Sequence, residues 1–236
     1  MGEFLAMMSM FGQLRAVSLL LAVGVGLSGC SSENVPGSMA EYLGKQVGGG
    51  GAEPAAAGQP KGLSQLSRAA IANVNAPFAL VLLPEIETAS TVAVAAVKGD
   101  AVTWVGVDGS TLTFIGPVLF STRGIGPDLL TAEAAPLAAM LRANRSGQIT
   151  RNLRHLDTLG QIVILPLDCT VDALGPATIE ILERQHQTRQ FRETCAGPDG
   201  LSVENLYWLG ADGTQWQSRQ WVSKAAGYLV YQRLVK

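Results

Sequence analysis

The chain has 236 residues, 47% hydrophobic and 15% charged, a balance that supports one sizeable core and rules out a disordered chain. Seventeen Lys and Arg against nineteen Asp and Glu leave a net charge of −2, which removes the electrostatic basis for binding nucleic acid or for bulk attraction to an anionic membrane surface. Three Cys and two His are too few for a zinc cluster or a disulfide-scaffolded mini-domain, so neither a metal nor a cofactor is expected.

Mean hydropathy is +0.24, yet the longest apolar stretch, Ala16 to Gly29, is shorter than the ~20 residues that span hydrocarbon. Arg15, the apolar run and Leu27-Ser28-Gly29-Cys30 have the order of an export signal over residues 1–29. The tetrapeptide resembles the lipobox of bacterial lipoproteins, in which the cysteine thiol receives a diacylglycerol and its new amino group is acylated. That resemblance makes Cys30 the lipidated first residue of the mature protein, and two or more acyl chains give a stable anchor. Ser31 stands where an inner-membrane retention signal would carry Asp, which implies an outer-membrane anchor with the protein facing the periplasm. Residues 30–62 are rich in Gly and Pro, including Gly48 to Gly51, and read as a flexible linker with a reach of about 30 Å.

Residues 63–236 read as a single β-rich domain. Leu63, Leu66, Ala70 and Val74 have the spacing of one short amphipathic helix, after which the period changes to two. Ala79–Leu83, Thr91–Val97, Ala101–Val107, Thr111–Ile115 and Val118–Thr122 are short β-branched or aromatic runs, turned at Lys98-Gly-Asp and Asp108-Gly, as in an antiparallel meander. Ala135 to Asn144 suits a helix opened by Pro136, and Gln161–Leu165 resumes the sheet.

Trp104-Val-Gly-Val-Asp-Gly-Ser110 recurs as Trp208-Leu-Gly-Ala-Asp-Gly-Thr214. Either the chain has two related sheet halves, or Asp-Gly hairpins beside an aromatic have simply occurred twice. Trp216 and Trp221 are out of phase in an alternating run, which sends one of them to a rim or ligand-facing surface. In an exported chain Cys169 and Cys195 are expected to form a disulfide. A hairpin turning at Gly175-Pro176 would set Cys169 near position 180, so the bridge would tie a strand to a later loop.

The mature chain lacks the common hydrolase, metalloprotease, redox and phosphate-loop motifs, and His155 and His186 lie in charge-rich stretches that read as solvated surface. Arg142, Arg145, Arg151 and Arg154 form a run without acids, either a solvated linker or a patch for an anionic sugar polymer or phospholipid head group. Arg123, at a strand end before Gly124, suits recognition of a carboxylate or sugar hydroxyls, or alternatively an ion pair with Asp128.

Trp104-x-Gly-x-Asp-Gly-Ser-Thr-Leu-Thr-Phe, Phe120-Ser-Thr-Arg-Gly-Ile-Gly-Pro-Asp-Leu-Leu130, Asn205-Leu-Tyr-Trp-Leu and Trp216-Gln-Ser-Arg-Gln-Trp221 resemble the YjbF/GfcB family of outer-membrane lipoproteins associated with capsule and exopolysaccharide production. The resemblance implies an all-β fold, a large barrel-like antiparallel meander similar to lipoprotein-carrier half-barrels, with one or two short helices. It brings no catalytic residues, and Arg219 joins Trp216, Trp221 and Arg123 as a candidate binding side chain. The expected function is a non-enzymatic accessory in polysaccharide secretion, contacting the polymer or export proteins. Its alternatives are a lipid or lipoprotein carrier with a half-barrel cavity and, third, a polysaccharide-modifying enzyme.

Overall fold

The structure, a computed structural model, describes residues 66–236; the expected signal peptide, Cys30 and its linker lie outside the described residues. The strands are β1 (Phe78–Leu83), β2 (Thr88–Lys98), β3 (Ala101–Gly106), β4 (Thr111–Ile115), β5 (Val118–Arg123), β6 (Thr131–Ala132), β7 (Gly147–Leu156), β8 (Ile162–Ile181), β9 (Arg184–Ala196), β10 (Ser202–Leu209), β11 (Gln215–Ser223) and β12 (Gly227–Val235). One helix, α1 (Ala135–Arg142), follows β6. All strands join one antiparallel sheet in the order β5-β4-β3-β2-β1-β12-β11-β10-β9-β8-β7-β6, a meander closed on itself where β1 pairs β12. The free edges then meet: Thr122 N–H donates to Leu129 O at 2.9 Å, bringing β5 beside the chain entering β6 and making the sheet a nearly closed barrel. Because successive strands reverse, their turns gather at two rims. The first holds the turns at 99–100, 116–117 and 210–214; the second holds 107–110, 124–130, 157–161, 197–201 and 224–226.

The interior is filled by side chains. Trp104 and Phe114 pack on Tyr231 with ring centroids 5.5 and 5.2 Å apart, surrounded by Ala79, Val81, Leu112, Leu119, Leu153, Leu167 and Leu229. Pro136 opens α1, as its spacing predicted, and the helix buries Leu137, Ala138, Met140 and Leu141 against Val118, Val171, Phe191, Tyr207 and Leu209, stopping the first rim. β1 is apolar throughout because both its faces are covered. Its odd residues point into the barrel, while Leu80 and Leu82 meet Ile71, Ile179, Ile181, Trp208 and Val230 outside.

That outer cover corrects two expectations. Gly175-Pro176 is a bulge inside β8, not a turn: the register with β9 slips between Ala173 and Gly175, and the hairpin turns at Leu182-Glu183. β7 pairs β8 only as far as Val171, so among the described residues Pro176 has a strand on one side only, the kind of position, with a bulge beside it, in which a sheet tolerates proline. Cys169 and Cys195 are consequently direct cross-strand neighbours, bonded with Cα atoms 4.0 Å apart, rather than a strand tied to a loop. The expected helix is also corrected over its described part. Residues 68–73 form successive turns, with Val74 N–H donating to Ile71 O at 3.1 Å, and Pro77 disfavours helix in the residue before it. Arg68 fastens this segment by donating to Ile181 O, Leu182 O and Leu234 O at 2.8, 3.2 and 2.9 Å.

The two repeated heptapeptides form the same turn. Gly106 N–H donates to Ser110 O at 2.9 Å and Gly210 N–H to Thr214 O at 2.8 Å, while Asp108 and Asp212 each accept the N–H two residues on, both at 3.0 Å. A Cβ at Gly106 or Gly210 would lie 2.7 or 3.0 Å from that Asp oxygen, and Gly109 and Gly213 have φ of +80° and +83°. The motif is thus dictated by turn chemistry. The tryptophans differ: Trp104 faces the interior cluster and Trp208 the outer one.

Candidate functional site

A cleft of about 670 Å³ opens at the second rim, beside the seam between β5 and β6. Its wall begins with the loop after β5. Asp128 fixes this loop by accepting from the Thr122 hydroxyl at 2.7 Å, Gly124 N–H at 2.9 Å and Ile125 N–H at 3.4 Å. Arg123 adds a second brace, its guanidinium donating to Thr122 O, Leu129 O and Leu130 O. The anticipated ion pair with Asp128 is therefore replaced by two parallel devices, because the carboxylate is occupied by loop N–H groups and the guanidinium by carbonyls. Ser223 joins β11 to the loop through Pro127 O at 3.1 Å.

Opposite stand His155, at the end of β7, and Trp221, near the end of β11. His155 Nε2 lies 2.7 Å from Val222 O; a carbonyl only accepts, so this nitrogen carries the hydrogen. The imidazole meets the Trp221 indole edge-on, centroids 5.9 Å apart. Lys224 and Asp157 complete the charged lining, while Leu156, Val163 and Leu165 make it apolar on the β7–β8 side and Leu130 adds an apolar side chain from the loop. Volume and mixed lining suit a ligand with apolar faces and polar edges. Asp157 is committed to its own turn, accepting from Leu159 and Gln161 N–H, both at 2.8 Å.

The chain matches the family described as "Group 4 capsule polysaccharide lipoprotein gfcB, YjbF" over residues 56–234. It belongs to the YjbF family. Among solved structures, the crystal structure of the hypothetical lipoprotein YmcC from Escherichia coli (K12) is similar in fold, with a TM-score of 0.65 at 18% identity over 73% of this chain and 90% of that one. No curated protein sequence matches.

This YjbF-family barrel brings only two of the candidate side chains together at the cleft, Arg123 and Trp221. Trp216 packs on the outer cluster and stacks on His186, ring centroids 3.7 Å apart. Burial, with Arg68 and Arg184 nearby, pushes His186 below its ordinary value. Neither histidine is the free surface group expected; each lies against a tryptophan. Arg219 lies over the Tyr228 ring and donates to Glu204 O at 3.2 Å. The four-arginine run does not form a patch. Arg142 pairs with Asp100 at 2.8 Å at the first rim, Arg145 is exposed, and Arg154 stands 3.8 Å from Glu133.

Arg151 instead points into the barrel. Its Nη1 donates to both oxygens of Glu193 at 2.8 and 2.9 Å and its Nε to Glu133 O at 2.9 Å. Asn205 and Tyr207 donate to Glu193 Oε2 at 2.7 and 2.8 Å, and Asn205 Oδ1 accepts from Trp221 N–H at 2.7 Å. Burial disfavours the Arg151 cation, but Glu193 more than offsets this and holds it above its ordinary value; burial and then Glu193 push the Tyr207 phenol well up. The gap beside these groups is about 10 Å³, room for one water at most. The cluster is a fully satisfied polar core behind the cleft floor. Sequence reasoning missed Glu193, although the signal was present: it lies two residues from both Phe191 and Cys195, on the inward face of a period-two strand.

Proposed function

We propose that this protein is a non-enzymatic accessory of capsule or exopolysaccharide secretion that binds the polymer in the second-rim cleft, held at the outer membrane by a lipid on Cys30 and facing the periplasm. The observation that carries the reading is the pairing of the Trp221–His155 aromatic corner with Arg123 and Lys224 around one opening. Sugar rings offer C–H faces that stack on an indole, and their hydroxyls or carboxylates suit guanidinium and ammonium donors. The acid–base groups of the cleft support binding over catalysis, since Asp128, Asp157 and His155 each hold a loop or strand in place. A second reading, carriage of a lipid, draws on the apolar side of the same cleft.

The test titrates full-length lipoprotein in detergent with exopolysaccharide purified from the producing cells. Saturable binding that Trp221→Ala abolishes and Lys224→Ala weakens, in variants that melt like the parent, supports the reading. Equal binding by parent and Trp221→Ala, or an acyl lipid co-purifying in stoichiometric amount, overturns it, the latter in favour of the carrier. Arg123→Ala cells are expected to export less polymer.

A further inference from the structure

The first rim keeps a smaller pocket of about 200 Å³. Trp104 and Phe114 lie at its base, the Gly213–Gln215 segment edges it, and its charged residues are Arg233 and Lys236, with no Asp or Glu in the lining. Arg233 is there because inward-facing residues alternate along β12, and it follows Leu229 and Tyr231 on that face. Its cross-strand neighbour, Ala79, presents only a methyl group. The guanidinium is half-buried; its Nε donates to Gln215 O at 3.1 Å and its carbon lies 5.1 Å from the centre of the Trp104 ring. Nη1 and Nη2 make no hydrogen bond and no ion pair among the described residues. The acids of this rim are already engaged, Asp212 by Lys236 and Asp100 by Arg142. Tyr231, on which both base rings pack, carries the one buried hydroxyl without a partner among the described residues, and Arg233 is close enough to draw its pKa down against the burial that raises it.

A cation withdrawn from water is ordinarily matched by an acid, and an aromatic face replaces only part of its lost hydration. Here no carboxylate of the described chain does so. We propose that the first-rim pocket binds a small organic carboxylate in the fork of Arg233 Nη1 and Nη2. The planar fork matches the two oxygens of a carboxylate. One unpaired cation also balances a single negative charge, which favours a carboxylate over a phosphate dianion. The volume lies below the ~300–1,000 Å³ of pockets for drug-sized ligands, which suits one sugar ring or a shorter acid and excludes an acyl chain. The carboxylate belongs to an acidic sugar or to a short organic acid, and the two are separable by titration. The pocket lies at the rim opposite the polymer-binding cleft and does not depend on it.

Isothermal titration of the full-length protein in detergent, at low and constant ionic strength, uses sodium glucuronate, sodium acetate, glucose and inorganic phosphate. A carboxylate is expected to saturate at one per chain, glucose not to bind, and phosphate to bind at least ~10-fold more weakly. Glucuronate binding at least ~10-fold tighter than acetate assigns the acidic sugar; otherwise the short acid is assigned. Arg233→Lys keeps the charge but loses the fork, and should weaken binding ~10-fold or more. In the parent protein phenylglyoxal should modify Arg233 and the bound carboxylate should protect it, read by peptide mass, a measurement that stands even where the variant melts early. Absence of carboxylate binding, equal binding of phosphate, an Arg233→Lys protein of parental affinity, or bound carboxylate that leaves Arg233 reactive overturns the proposal. Trp221→Ala should leave the carboxylate isotherm unchanged, so failure of this site and failure of the polymer-binding reading are told apart.

Discussion

Replacing Glu193 with Gln tests the account of the barrel interior. Glu193 is 0% exposed and accepts four hydrogen bonds, two from Arg151, one from Asn205 and one from Tyr207. Gln keeps the shape and one acceptor oxygen, which can still serve Asn205 and Tyr207. Its amide NH₂ then confronts Arg151 Nη1, donor against donor, and leaves a guanidinium with 5% side-chain exposure without a counter-charge. Removing one partner of such a pair costs about 3–5 kcal/mol. For the 171 residues from 66 to 236, an unfolding entropy of ~2.1 cal/mol/K per residue gives roughly 0.36 kcal/mol per degree, so Tm should fall by about 8–14 °C. The assay is thermal unfolding followed by circular dichroism on full-length protein with the disulfide intact, rescanned to establish reversibility. Arg151→Met combined with Glu193→Leu should cost less than Glu193→Leu alone, because no buried charge is orphaned. A Glu193→Gln protein melting within about 2 °C of the parent would refute the reasoning, since it would mean that Arg151 reaches water or another acceptor.

Cys169 and Cys195 are 3% and 1% exposed; thiol reagents should leave both unlabelled in the native protein, and Cys169→Ala/Cys195→Ala should lose about 3 kcal/mol in urea unfolding, since their 26-residue separation closes a mid-sized loop. Leu182 and Glu183 form the β8–β9 turn at φ +44° and +65°, conformations that disfavour side chains, so Glu183→Gly, at the exposed second position, should stabilise by roughly 0.5–1 kcal/mol in the same assay. Tyr207 and Tyr231 are held neutral by burial, with phenols above the ordinary value. Their folded values are raised, so the associated stability is complete below about pH 10, where unfolded tyrosine ionises, and drains away as pH rises further. Alkaline titration at 295 nm should show these two phenols ionising only with unfolding; early, reversible ionisation of all tyrosines while the fold persists would contradict it.

Much of the sheet was legible from the sequence because its signals are local. Alternation over Ala101–Val107 and Thr111–Ile115, Gly at positions of positive φ and Pro136 at a helix start act within a few residues, and β3, β4 and α1 lie where those patterns put them. The Gly-x-Asp-Gly turn is determined in the same way, by the room one glycine leaves for the carboxylate and the φ the other adopts. The even thiol pair, read on the expectation of export, pointed to Cys169 and Cys195, but which strands they join depended on where a bulge replaced a turn. Only tertiary structure decided what the charged side chains do. Arg151 and Arg154 belong to one basic run, yet three residues in a strand reverse the face: Arg151 enters the interior to meet Glu193, 42 residues away, while Arg154 stays at the surface. Likewise, nothing local brings His155 to the carbonyl of Val222, 67 residues on, or sets Arg123 across the same opening. Those meetings are fixed by closure of the sheet, a property of twelve strands in register that no single segment of the chain encodes.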